Sequence, residues 1–188
     1  LSLANNNLTN YGRDMSGVLA IADALKSGMA VLKTLSLEDC KTHDEGAIAI
    51  AEGLKSNTSL EELEVLSCGI GVAGGAALVA NGAMKKLTLS GNCDIKDEGA
   101  IAIAKGLEAN GSLTSLNLIN NGIGDEGATA IAKGLSANAS LTECNLGKNN
   151  LGVEGWTIIF NALRDSPTSK ITTWHLRDER LDPKIAKP

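Results

Sequence analysis

Leu113-Thr114-Ser115-Leu116-Asn117-Leu118-Ile119-Asn120-Asn121 is one copy of a pattern that recurs along the chain. Leu116 and Leu118 stand two residues apart, so in a strand they share one face while Ser115, Asn117 and Ile119 point to the other. The stretch is followed by Gly124-Asp125-Glu126-Gly127-Ala128 and a run rich in Ala, Ile and Leu. In the equivalent run of an earlier copy, Ala47, Ile50, Ala51 and Leu54 fall at i, i+3, i+4 and i+7, the spacing of one helical stripe. A short strand followed by a helix with a narrow Ala-rich face is therefore the unit.

The same template, Leu-x-x-Leu-x-Leu-x-x-Asn/Cys, appears before it as Leu32/Leu35/Leu37/Cys40, Leu60/Leu63/Val65/Cys68 and Met84/Leu87/Leu89/Asn92. Beyond Leu113 it returns as Leu141/Cys144/Leu146/Asn149 and Ile171/Trp174/Leu176/Glu179, with a partial copy at Leu1/Leu3/Asn6. Starts at Leu32, Leu60, Met84, Leu113, Leu141 and Ile171 are spaced 28, 24, 29, 28 and 30 residues. Such a period defines a solenoid in which each unit buries its apolar face only against its neighbours. The expected architecture is an α/β right-handed leucine-rich-repeat solenoid. It forms a partial horseshoe with parallel strands on the concave face and helices on the convex face. Residues 1–188 read as one repeat domain of about seven units. Residues 171–188 form the last strand unit, with Asp182-Pro183 opening a C-terminal cap or a further helix. Leu1-Ser2-Leu3 already reads as strand, which suggests a sequence that lacks its natural start.

Departures from the template carry their own expectations. Thr9 to Ser16, with Gly17, are inserted in the first unit and should bulge at the strand-to-helix edge. The third unit replaces Asp-Glu-Gly with Gly71-Val72-Ala73-Gly74-Gly75, so its helix should be abbreviated. Asp44, Asp97 and Asp125 read as N-terminal helix caps, and Asn57, Asn110 and Asn138 as left-handed residues where the chain leaves the helix.

Composition removes several function classes. Hydrophobic residues make up 43% of the chain but aromatics only 2%, so the core is aliphatic. A net charge of -5 and the absence of a Lys/Arg run argue against nucleic acid. No apolar stretch approaches the roughly 20 residues of a membrane-spanning helix. Cys40 and Cys68 occupy the Asn/Cys position, Cys144 replaces a core Leu, and Cys93 sits in a one-residue expansion. With no Cys-x-x-Cys spacing they read as structural free thiols of a cytoplasmic protein, with no metal and no cofactor. Three sequons, at Asn57, Asn110 and Asn138, share one repeat position and so reflect the template rather than glycosylation. His43 and His175 belong to distant units, too far apart for a nucleophile–base pair, and Gly69–Gly75 lacks the Lys-Ser/Thr ending of a phosphate loop. No catalytic set emerges.

The repeat resembles the ribonuclease-inhibitor-like subfamily of leucine-rich-repeat proteins over almost the whole chain. It is similar to the repeat regions of ribonuclease inhibitor, Ran GTPase-activating protein and nucleotide-binding innate immune receptors. The resemblance implies a non-enzymatic module that binds another protein through its concave sheet. It also raises activation of a small GTPase as a lesser alternative, for which Arg13 is the one arginine near the N-terminal units; the residues around it do not match that family's functional motif.

The outward strand positions give the candidate surface. One column runs Ser2, Ser36, Glu64, Thr88, Asn117, Asn145, His175; its neighbours hold Thr34, Glu62, Lys86, Ser115, Glu143, Thr173 and Ala4, Glu38, Leu66, Ser90, Ile119, Gly147, Arg177. From these, Glu38, Asp39, Glu62, Glu64, Lys86, Asn117, Asn145, His175 and Arg177 are the candidate protein-binding residues. An acidic zone at Glu38, Asp39, Glu62 and Glu64 is expected to border a basic pair, Lys85 and Lys86. The alternative is a structural subunit docking through its ends or helix side, where Trp156, Ile159 and Phe160 break the Ala-rich habit.

Overall fold

In a computed structural model that describes residues 1–27 and 31–174, the repeats stack as a single parallel sheet backed by one layer of helices. The strands are β1 (Thr34–Ser36), β2 (Glu62–Glu64), β3 (Lys86–Thr88), β4 (Ser115–Asn117), β5 (Glu143–Asn145) and β6 (Thr173–Trp174), ordered as they occur in the chain. Between and around them lie α1 (Ser16–Lys26), α2 (His43–Leu54), α3 (Val72–Ala80), α4 (Lys96–Ala109), α5 (Asp125–Ala137) and α6 (Val153–Arg164). The sheet is open, and a bridge between Ser2 and Ser36 extends it by one step at β1. Histidine 175 and arginine 177, together with the expected cap, fall outside the described residues.

The register is what the periodicity predicts. Leu35, Leu63, Leu87, Leu116 and Cys144 pair in turn across β1 to β5, and all five are buried. Leu37, Val65, Leu89, Leu118 and Leu146 form the next buried row, and Ala47, Ile50, Ala51 and Leu54 of α2 meet the sheet as one stripe. Each buried leucine contributes about 1.5–3 kcal/mol of transfer free energy, so the layered aliphatic core, not ring stacking, holds the stack together. Trp156 and Phe160 stack with their ring centroids 5.8 Å apart. Trp156 and Ile159 are themselves buried, so both fill the last layer rather than offering a docking face.

The abbreviated third unit has a simple geometry. Its 24-residue spacing is four short of the common 28, close to one helical turn, and α3 has 9 residues where α2 has 12 and α4 has 14. Losing a whole turn keeps the apolar stripe in phase, so Leu78 and Val79 still reach the core. The insertion forms turns over residues 8–13 and packs on the next unit. Thr9 is buried; its hydroxyl donates to Cys40 O at 3.2 Å and accepts from Gly12 N at 3.0 Å. Gly12 holds a φ of +83° with the His43 ring against it, and a Cβ there would stand 2.9 Å from His43 Nε2.

Two expectations about local caps are corrected. Asp44, Asp97 and Asp125 do not cap their own helices; each lies in the first turn and reaches the helix of the following unit. Asp97 Oδ1 accepts from Gly124 N at 2.6 Å and Gly127 N at 3.0 Å. Asp44 does the same for Gly71 and Gly74, and Asp125 for Gly152 and Gly155. Asn110 and Asn138 are not left-handed but extended, at φ -82° and -80°. Their job is hydrogen bonding: Asn138 Nδ2 donates to Leu107 O and Asn110 O, and its Oδ1 accepts from Ser140 N and Leu141 N. Asn57 and Asn110 are bonded alike, and burial of all three explains why these sequon positions serve the stack.

Left-handed backbone sits instead at the strand exit, at Asn5, Asp39, Ser67, Gly91, Asn120 and Lys148. There Asn5, Asp39, Ser67, Gly91 and Asn120 each donate their N–H to the next unit, as Asp39 N does to Leu66 O and Asn120 N to Gly147 O. The following Asn closes the turn: Asn92 Oδ1 accepts from Cys68 N and Ile70 N, and its Nδ2 donates to Val65 O and Leu89 O. Cysteine at this position keeps only the donor half, with Cys68 Sγ donating to Leu37 O at 2.8 Å and Cys40 Sγ to Leu3 O at 3.1 Å.

Candidate functional site

The concave face follows directly from strand alternation. Because Leu116 and its partners turn inward, the residues flanking them turn outward, and the register lines these up in two rows. One runs Thr34, Glu62, Lys86, Ser115, Glu143, Thr173 and the other Ser36, Glu64, Thr88, Asn117, Asn145. Across β2 to β5 these rows enclose a shallow depression of about 310 Å³, walled by Glu62, Lys86, Thr88, Ser115, Asn117, Glu143 and Asn145 with Leu116 as its floor.

The structure thus gathers Glu62, Lys86, Asn117 and Asn145 around one hollow, with Glu64 beside Thr88 at its margin. Glu38 and Asp39 stand exposed on the strand-exit rim next to β1, outside the hollow. Thr88, Ser115 and Glu143 belong to the walls although sequence reading did not single them out. Glu143 shares the strand position of Glu62 three strands away, which was the available signal.

Hydrogen bonds decide what the face offers. The Thr34 and Ser115 hydroxyls donate to Glu62 at 3.4 Å and Glu143 at 3.0 Å. Asn117 Oδ1 accepts from Ile119 N at 3.0 Å and Asn145 Oδ1 from Gly147 N at 3.1 Å, so each amide oxygen is engaged by its own turn. Glu64 and Lys86 form no ion pair among the described residues, although Lys86 lies in register with Glu62.

The expected basic pair is divided. Lys85 precedes β3 and turns to the strand-entry rim, where Glu61 bridges it at 2.9 Å and Lys33 at 2.8 Å. The two ammonium groups hold the Glu61 carboxyl down to about 2. Among the described residues of the two strand rows, Lys86 alone carries positive charge.

Elsewhere the chemistry is thinner. The missing turn of α3 leaves a notch of about 650 Å³ on the helix side, lined by Ala51, Ala77, Ala80, Gly82 and Ala83, with the Glu52–Lys55 pair at its rim. Cys144 is fully buried, and burial pushes its thiol up to about 12; burial also raises Cys40 and Cys68. All three thiols are held protonated, and those of Cys40 and Cys68 donate to backbone carbonyls. Arg13 is exposed on the insertion loop. Among the described residues no group of three or more His, Cys, Asp or Glu is placed to hold a metal ion, and no helix is long and apolar enough to cross a membrane.

Comparison with known proteins agrees with this geometry. The family model described as leucine-rich repeat matches residues 29–51, 56–79, 84–104 and 109–132, and the chain belongs to the leucine-rich-repeat proteins. Its units are of the ribonuclease-inhibitor-like type. The chain is 32% identical to mouse (Mus musculus) ribonuclease inhibitor over 125 residues, covering 64% of this chain and 26% of that protein. It is also 32% identical to human (Homo sapiens) NACHT, LRR and PYD domains-containing protein 5 over 126 residues, covering 64% of this chain and 10% of that protein. The chain therefore spans about a quarter or less of the length of these relatives. The solved tropomodulin C-terminal domain of Caenorhabditis elegans superposes with a TM-score of 0.51 at 16% identity, covering 83% of each chain, and shows the shared fold.

Proposed function

We propose that this chain is a non-enzymatic protein-binding module whose concave sheet face receives the partner, working in the cytoplasm, where its free thiols stay reduced. Leucine-rich repeats generally mediate contacts between proteins. One observation carries the reading to this face: the hollow over β2 to β5 is walled by polar side chains, and Glu64 and Lys86 on the same face have no ion-pair partner within the described chain. Charged groups left unneutralised on a rigid concave sheet are suited to complementary groups of a second protein.

The test is a neutral plug. Asn117→Trp fills the hollow without changing charge, and Thr129→Trp places the same ring on the exposed side of α5. In pull-downs from the source organism's extract, with folding of each variant checked by circular dichroism, specific partners should be lost with Asn117→Trp and kept with Thr129→Trp. Equal retention by both variants removes the concave face from the mechanism.

A further inference from the structure

We propose, resting on the concave-face reading, that the partner contributes a basic segment: a Lys or Arg side chain seats against Glu62 and Glu64 while its main chain crosses β4 and β5. The charge distribution supports a basic rather than an acidic occupant. Glu62 and Glu64 stand two residues apart on the same face of β2, roughly 6.5–7 Å along the strand, a span that one cationic head group bridges. Glu38 and Asp39 lie on the adjoining rim, and Glu143 adds a carboxylate on the far wall. Among the described residues, the strand rows over β2 to β5 carry three carboxylates, Glu62, Glu64 and Glu143, against one ammonium, Lys86, because Lys33 and Lys85 are both engaged by Glu61 at the entry rim; on the exit rim Glu38 and Asp39 stand beside β1 and Lys148 beyond β5. Along the strand rows over β2 to β5 an acidic segment meets repulsion at three of the four charged positions described, a basic one only at Lys86.

The neutral half of the face fixes what the rest of the segment must offer. With each Oδ1 already accepting from its own turn, Asn117 and Asn145 present Nδ2 as their unengaged donor. Main-chain carbonyls, which any extended segment carries, are the matching acceptors. This half contributes affinity without side-chain selectivity, so selectivity falls to the Glu62–Glu64 seat, and Lys86 works against it.

Fluorescein-labelled nona-arginine and nona-glutamate, titrated at physiological salt and followed by anisotropy, test the assignment. Nona-arginine should bind and nona-glutamate should not. Glu62→Gln/Glu64→Gln should weaken nona-arginine by about tenfold. Glu98→Gln/Glu126→Gln, which removes the same net charge from exposed helix positions, should change it by less than about twofold, since salt screens distant charges. Lys86→Ser should tighten binding by about threefold. Equal losses from both glutamate pairs, weaker binding with Lys86→Ser, or no binding of nona-arginine would overturn the proposal. The concave reading itself fails separately: in that case Asn117→Trp leaves the extract partner bound, whereas its loss combined with indifference to the Glu62/Glu64 change rejects only the basic chemistry.

Discussion

Helices α2 to α6 begin in two different ways. At α3, α5 and α6 a glycine in extended backbone, Gly71, Gly124 or Gly152, leads into the helix. The aspartate of the preceding helix reaches across to two amides there, or to three in the case of Asp44. At α2 and α4 no aspartate arrives: α1 supplies none at its start, and α3 has Val72 where the others have Asp. These helices open instead on a left-handed residue, His43 at φ +49° and Lys96 at φ +48°. Its N–H donates to a carbonyl of the next unit, Cys68 O or Asn121 O, while Gly46 and Gly99 bond back to Thr42 and Ile95. One entrance needs open space beside a carboxylate, the other tolerates strained backbone. Both tie adjacent units together, which a solenoid requires because each unit has only its neighbours to lean on.

The largest effect should come from taking away the space. A Cβ on Gly127 would stand 2.6 Å from Asp97 Oδ1, 2.7 Å from Ile123 Cγ2 and 2.9 Å from Ala100 Cβ. Gly127→Ala should therefore cost about 2–3 kcal/mol by urea unfolding despite the better helix propensity of alanine. Asp97→Ala removes the carboxylate and should cost about 1–2 kcal/mol. In the Asp97→Ala background the Gly127→Ala penalty should shrink, a coupling that a double-mutant cycle reads directly. If the two penalties simply add, the carboxylate and the glycine are not one device.

At the other kind of entrance the effects are smaller and partly reversed. Lys96→Gly relieves a left-handed side-chain residue and should stabilise by about 0.5–1 kcal/mol after glycine's own chain entropy is counted. Val72→Asp should leave the unfolding midpoint unchanged, because Lys96 N and Gly99 N already have backbone acceptors. A gain there would mean that the two entrances are interchangeable. The smallest effect belongs to Glu61, exposed at the rim. Its carboxyl titrates near 2 in the folded chain, below its ordinary 4.5. The bridge therefore adds stability above about pH 4.5 and loses it as pH falls toward 2. Titrated at low salt, Glu61→Gln should show a shallower acid-side decline than the native chain, and the difference should fade at high salt.

This contrast also shows what the sequence could disclose. Alternation of Leu116 with Leu118 and the 24-to-30-residue spacing were enough for the sheet order, register and the missing turn of α3, because these depend on local periodicity. The target of Asp97 was not legible: its partners lie 27 and 30 residues further on, and a capping rule scans only the first turn of its own helix. The left-handed column was hidden for a related reason. Asp39, Ser67 and Asn120 share a conformation set by bonds between units, with no residue type in common. For the site, columns read from alternation placed Glu62, Lys86, Asn117 and Asn145 side by side, since register and alternation fix the rows. That Lys85 would leave Lys86 for Glu61 needed side-chain geometry.

The central claim, that partners meet the concave face, is tested most directly by photo-crosslinking with p-benzoylphenylalanine in place of Asn117 or, separately, of Thr129. Irradiation in the source organism's extract should yield a discrete adduct from position 117 and none from 129. An adduct confined to 129 would place the partner on the helix side and contradict the account.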